Sequence, residues 1–162
     1  MSRYRLETEL SRTFSEFSSR QSASWKFTAQ GSADNSAPTP LLWSASFRPQ
    51  VDDYNRARRE DTSLAFELRL PWHIPTSEAV PKLTSVRLEY SLDDGRTWRI
   101  APVEAAGTRS EPNLPGYGKP FQLYVAKVQH SRTAQYVSLR LTAEDGKGNN
   151  VKQVIIRAYG LR

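Results

Sequence analysis

The sequence predicts an all-β fold built as an antiparallel β-sandwich, and three features of its 162 residues carry that expectation. Apolar and polar residues alternate in short runs along most of the chain, as strands with one inward face require. Clusters of Gly, Pro, Asn, Asp and Ser separate the runs at short spacing, the rhythm of a sandwich. No stretch beyond a dozen residues holds a 3.6-residue apolar period, so almost no helix is expected.

Arg3 to Leu10 sets Tyr4, Leu6, Thr8 and Leu10 against Arg3, Arg5, Glu7 and Glu9, which predicts a half-buried opening strand. Ser11 to Ser24 is serine-rich, with Phe14 and Phe17 as anchors, and Ser24 to Thr28 forms a second strand with Trp25 and Phe27 inward. Gly31 to Pro40 is a loop by composition, after which Leu41, Trp43, Ala45 and Phe47 line one face of a third strand. Residues 1–48 are thus read as N-terminal strands that pack on an upstream or partner domain. Residues 49–61 carry seven charged side chains around Tyr54 and Asn55, a charged and solvated connection.

Residues 62–162 make the main sandwich. Thr62 to Leu70 points Leu64, Phe66, Leu68 and Leu70 inward, and Pro71 to Pro81 is a proline-marked loop. Val86 to Val103 is the clearest hairpin: Val86, Leu88 and Tyr90 alternate with charged partners, and alternation resumes at Trp98 and Ile100. Its turn, Ser91-Leu-Asp-Asp-Gly-Arg-Thr-Trp98, places Gly95 where a positive φ is wanted. Asp93 and Asp94 can accept hydrogen bonds from turn N–H groups there, and Trp98 is expected to bury beside them. Ala105 to Pro120 is too rich in Gly and Pro to predict an element. Phe121, Leu123 and Val125 restart an alternation that continues to Val128, Val137, Leu139 and Leu141 form the next strand, Ala143 to Asn150 a turn, and Val151 to Tyr159 the last strand. About nine strands result, the second half fibronectin-III-like or immunoglobulin-like with the N-terminal strands added.

The net charge of +6, from 23 basic and 17 acidic residues, is spread rather than clustered, which argues against a nucleic-acid binder. Without cysteine there is no disulfide framework, thiolate zinc site or cysteine nucleophile. No run approaches the roughly 20 apolar residues of a membrane-spanning helix, and Met1 to Leu10 holds no apolar signal-peptide core. The chain opens almost at once in a strand, which reads as one end of something longer.

Tyr136 to Asn149 followed by Val151 to Leu161 resembles the C-terminal end of actinobacterial secreted subtilisin-like serine proteases. That region of the family has a strand like Tyr4-Arg-Leu6, a tryptophan strand like Trp25-Lys-Phe27 and a Pro-Leu-Leu strand like Pro40-Leu-Leu42. An acidic stretch ending like Asn55-Arg-Ala57, a Ser-x-Asp-Asp-Gly-x-Thr-Trp hairpin and a terminal Arg-Ala-Tyr-Gly-Leu complete the likeness. Ala105 to Ser131 is longer than the family's return strand, and the catalytic body has no counterpart. The resemblance therefore implies a non-catalytic accessory module of a secreted protease, extracellular, needing no cofactor, that stabilises or targets the enzyme. Its implied partner is the subtilisin-like catalytic domain, in cis or in trans, with self-association through the N-terminal strands as a further expectation. The rival from another class is an independent extracellular adhesion or carbohydrate-binding module.

Each candidate site has a structural alternative. The only histidines are His73 and His130, and neither lies in a subtilase catalytic motif, while His130 and Ser131 as neighbours in an extended segment point to opposite sides. The turn around Asp93 matches an Asp-box, but a propeller needs repeated copies and there is one. Asp145-Gly-Lys-Gly-Asn-Asn150 is rich in oxygen donors yet lacks calcium-loop spacing, so Asp145, Gly148 and Asn149 are read as hairpin-turn residues. Trp72 and Tyr117, on loops, are the candidate aromatic platform for a sugar or extended peptide.

Overall fold

A computed structural model describes residues 2–29, 40–72, 74, 77, 79–110 and 118–162. Among the described residues there are eleven strands and no helix. They are β1 (Ser2–Ser11), β2 (Arg20–Ala29), β3 (Ser44–Pro49), β4 (Arg56–Ala57), β5 (Ser63–Arg69) and β6 (Leu83–Ser91), then β7 (Arg99–Ala101), β8 (Val103–Arg109), β9 (Phe121–Lys127), β10 (Tyr136–Asp145) and β11 (Asn150–Leu161). One sheet runs β1-β2-β11-β10-β6-β7, and the other β3-β5-β9-β8. The order β3-β5-β9-β8 facing β11-β10-β6 is that of an immunoglobulin-type sandwich, with β7 added at one edge and β2 and β1 at the other. Neighbouring strands are antiparallel except β4, which lies parallel to the end of β11.

The core lies between the sheets and follows the period of two that a pleated strand imposes. Leu64, Phe66 and Leu68 of β5 meet Leu88 and Tyr90 of β6, Val137, Leu139, Leu141 and Ala143 of β10, and Val151, Tyr159 and Leu161 of β11. Arg157 would share the inward parity of Ile155 and Tyr159, but a bulge with Arg157 at φ 56° shifts the register between Val137 and Leu139 and lets its guanidinium out to solvent.

Several expectations change. β1 is exposed along its whole length, because the second sheet ends short of it and leaves Tyr4, Leu6 and Leu10 without a facing layer among the described residues. The strands of residues 1–48 belong to the sandwich itself, since β2 pairs with β11 and β3 with β5. Phe17 packs edge-on to Tyr136, whereas Phe14 is 88% exposed and anchors nothing. Within residues 49–61, Ala57 is buried and β4 joins a sheet, so part of that connection is core. β8 runs through the stretch beginning at Ala105 that suggested no element, because Gly107, at φ 95°, supplies a bulge instead of ending the strand.

One strand also turns the other way from its sequence reading, and pairing chooses between two apolar faces in another. In β7 the inward residue is Ala101, paired with Leu88, while Ile100 stands outward and 62% exposed. In β9 the core takes Tyr124, Ala126 and the following Val128, because Tyr124 pairs with Phe66 and Ala126 with Leu64. Phe121, Leu123 and Val125 therefore belong to the outer face.

Candidate functional site

The β6–β7 turn is built by its own side chains. The Ser91 hydroxyl donates to Asp93 Oδ1 at 2.7 Å and accepts from the Gly95 amide at 2.8 Å. Asp93 accepts from the Thr97 amide at 2.8 Å and the Thr97 hydroxyl at 2.6 Å. With those hydrogen bonds favouring its charged form, the Asp93 carboxyl is lowered to about 2. Asp94 and Gly95 take the left-handed conformation at φ 58° and 85°. A Cβ on Gly95 would stand 2.8 Å from Ile156 Cδ1 and 3.2 Å from the Trp98 ring, so glycine serves both the turn and the packing here. Asp94 is gripped by both arms of Arg157, at 3.0 and 2.8 Å, which ties the turn to the bulge of β11. Every oxygen of Asp93 and Asp94 with a partner is thus engaged in holding the loop.

Trp98 does not enter the core. It lies half-buried on the outer face beneath the Arg140 guanidinium, 4.4 Å from the ring, because the turn ends on the solvent side of the sheet. Arg140 in turn holds Glu89 through two contacts of 2.7 and 2.9 Å.

The β10–β11 turn centres on a buried carboxylate. Asp145 Oδ1 accepts from the amides of Lys147 and Asn149 at 2.9 and 3.1 Å. Its Oδ2 accepts from Asn149 Nδ2 at 2.9 Å and the Trp43 indole at 3.2 Å. Gly148 provides the positive φ of 77°, and Asn149 Oδ1 takes the Thr28 amide at 3.2 Å, which joins the turn to β2. Both carboxylate oxygens face N–H donors, an arrangement that leaves them unsuited to a cation, and no metal-binding group of His, Cys, Asp or Glu occurs among the described residues.

His130 is fixed as a structural residue. Its Nδ1 lies 3.2 Å from the Arg59 carbonyl and its Nε2 3.1 Å from the Tyr159 hydroxyl. A carbonyl only accepts, so Nδ1 carries the proton and Nε2 accepts from the phenol. Burial lowers the His130 pKa, and the ring stays neutral. Ser131 Oγ pairs with Thr133 Oγ1 at 3.1 Å instead, so among the described residues His130 hydrogen-bonds neither a serine nor a carboxylate. His73 and Tyr117 lie outside the described residues, and of the aromatic platform only Trp72 is placed. It is 66% exposed beside a shallow hollow of about 240 Å³ bordered by Arg69, Lys119 and Phe121.

A cluster on the outer face of the second sheet is not legible in the sequence. Glu67 is 1% exposed there, ringed by Arg48 at 3.2 Å, Arg109 at 3.4 Å and Arg69. Burial pushes the Glu67 pKa up, but the guanidiniums outweigh it and the group ends below the ordinary carboxylate range. Arg69 also covers the Phe121 ring at 4.2 Å, which closes the outer face over that aromatic. The signal in the sequence is a single Glu within the alternation of Thr62 to Leu70, and it names no partner.

The remaining feature is the apolar row of β1. Gln153 of β11 and the main chain of Ala45 in β3 exchange hydrogen bonds of 3.2 Å, and Trp25 Nε1 donates to the Trp43 carbonyl at 2.7 Å. These contacts mark where the second sheet stops. Outward of them Leu6 lies beside Trp25, and Tyr4 stacks on Phe27 at 5.8 Å with its other side open. No protein-family model, no curated protein and no solved structure matches this chain.

Proposed function

We propose that this chain is a non-catalytic accessory module of a subtilisin-like serine protease, which it stabilises or targets by contact with the catalytic domain, in cis or in trans. The observation that carries the reading is the open row of Tyr4, Leu6 and Leu10, apolar surface held on a regular strand with no layer above it among the described residues. Contiguous exposed apolar surface of that kind is characteristic of contact with another protein. The hydrogen bonds that commit His130 to Arg59 and Tyr159 support a binding role over a hydrolytic one.

The test mixes the isolated chain with a separately expressed actinobacterial subtilase catalytic domain. Co-elution, a longer half-life of the protease on heating, and loss of both on Leu6→Asp are expected. The chain alone should neither cleave casein nor label with a fluorophosphonate. Failure to associate, or stoichiometric labelling abolished by Ser131→Ala, would overturn the proposal. The exposed Trp72 favours the second reading, a carbohydrate-binding module, which predicts retention on insoluble polysaccharide that Trp72→Ala removes.

A further inference from the structure

The geometry points to a second copy of this chain as the occupant of the free edge of β1, joined through a two-fold antiparallel pairing centred on Leu6. β1 ends its sheet, so one of its two edges has no strand beside it among the described residues. Such an edge offers a row of main-chain donors and acceptors to another strand. What selects the partner is the charge order along the strand. Arg3, Arg5, Glu7 and Glu9 share one face, two positive charges followed by two negative.

Those charges are not matched to β2. Arg5 lies opposite Lys26, and Glu7 and Glu9 lie opposite Ser24 and Ser22. Like charges directly opposite each other oppose pairing, and opposite charges favour it. Placed antiparallel against itself about Leu6, the same strand sets Arg3 against Glu9 and Arg5 against Glu7, and by symmetry does so twice. Leu6 then meets Leu6 of the other copy, and Tyr4 meets Thr8, on the opposite face. A slip by one residue pair in either direction brings Arg5 onto Arg5 or Glu7 onto Glu7, and parallel in-register pairing opposes every like charge. The centred register has four opposite-charge pairs and no like pair, whereas each slipped register keeps two opposite pairs and adds one like pair, so the charge order favours the centred register over its neighbours.

The pairing uses the main-chain edge and leaves the apolar row open and doubled, so it goes beyond the accessory-module reading and does not compete with it. A single strand pair belongs with the small, weak interfaces.

Sedimentation velocity on the full chain, carried to about 1 mM because small interfaces are weak, is expected to show a monomer–dimer equilibrium. Two double variants carry the argument: R3E/R5E makes the face wholly acidic, and E7R/E9R makes it wholly basic. Each alone is expected to dimerise at least about tenfold more weakly, and an equimolar mixture to form a heterodimer at least as tight as the parent dimer. All four residues are exposed, and circular dichroism with urea midpoints shows whether each variant is folded. As a second readout on the unaltered chain, amides of β1 directed away from β2 should exchange more slowly at high concentration than at low. A parent chain that stays monomeric throughout, folded variants that dimerise as the parent does, or a folded mixture that does not associate would each overturn the pairing. Because only this chain is present, such a result leaves the protease contact untouched, and failure of the catalytic domain to bind leaves the pairing untouched.

Discussion

Replacing Asp145 with alanine removes the acceptor on which the β10–β11 turn, the Trp43 indole and the Asn149 side chain converge. The amide of exposed Lys147 can turn to water. Trp43 and Asn149 are buried, so the Trp43 Nε1–H, the Asn149 amide and the Asn149 side-chain N–H lose their partner out of reach of bulk solvent. Each buried donor left unsatisfied costs about 1–3 kcal/mol. A water admitted into the space of the lost carboxylate can recover one of them, which puts the loss at about 2–6 kcal/mol. That is a large share of the roughly 5–15 kcal/mol that holds a domain folded. Asp145→Asn keeps the shape and one acceptor oxygen, and its cost should be smaller, about 1–3 kcal/mol. Urea unfolding followed by tryptophan fluorescence and far-ultraviolet circular dichroism reads both values. A loss under about 1 kcal/mol for the alanine variant would refute the reasoning, since surface changes away from such networks fall in that range.

Trp43→Ala should cost about 3–5 kcal/mol as a core aromatic, whereas Trp98→Ala, half-exposed beneath Arg140, should cost only about 1–2 kcal/mol; equal urea midpoints for the two would reverse their placement. The lowered pKa of Asp93 means that its contribution is present above the unfolded value near 3.9 and is lost as pH falls toward about 2, so the hairpin should loosen in that window, as read by the chemical shift of the Thr97 amide that donates to Asp93, and Asp93→Asn should reduce the dependence. His130 is held below its ordinary value of about 6.5, so the unfolded chain takes up its proton first and stability should decline as pH drops through that value. Urea midpoints that do not change between about pH 7.5 and 5.5 in the parent, or that change equally in His130→Gln, would contradict the buried neutral ring.

Much of the local structure was legible because it depends on near neighbours. The Ser91–Trp98 turn closes through side chains at most four residues apart, so Ser91, Asp93 and Gly95 announce it by identity alone. Asp145, Gly148 and Asn149 announce the second turn in the same way, but that Asp145 also receives the indole of Trp43, a hundred residues earlier, could not be read from the loop. β9 shows the limit from the other side. Both of its alternating sets are apolar enough for a core, Phe121, Leu123 and Val125 on one side and Tyr124, Ala126 and Val128 on the other. Pairing with β5 chose the second set, and Arg69 and Arg109 cover Phe121 of the first.

By itself, then, the sequence determined the all-β class, the strand-like segments and the conformations of its tight turns, since period-two patterning and turn chemistry are properties of residues close in the chain. Tertiary structure decided which face of each strand is inside and what lies across from it. Tyr4, Leu6 and Leu10 have the pattern of a half-buried strand, and only the position at which the second sheet stops leaves them in the open. Glu67 likewise became a buried charge only when β3, β5 and β8 brought Arg48, Arg69 and Arg109 around it. Burial depends on the layer opposite, and that layer is assembled from residues far apart in sequence.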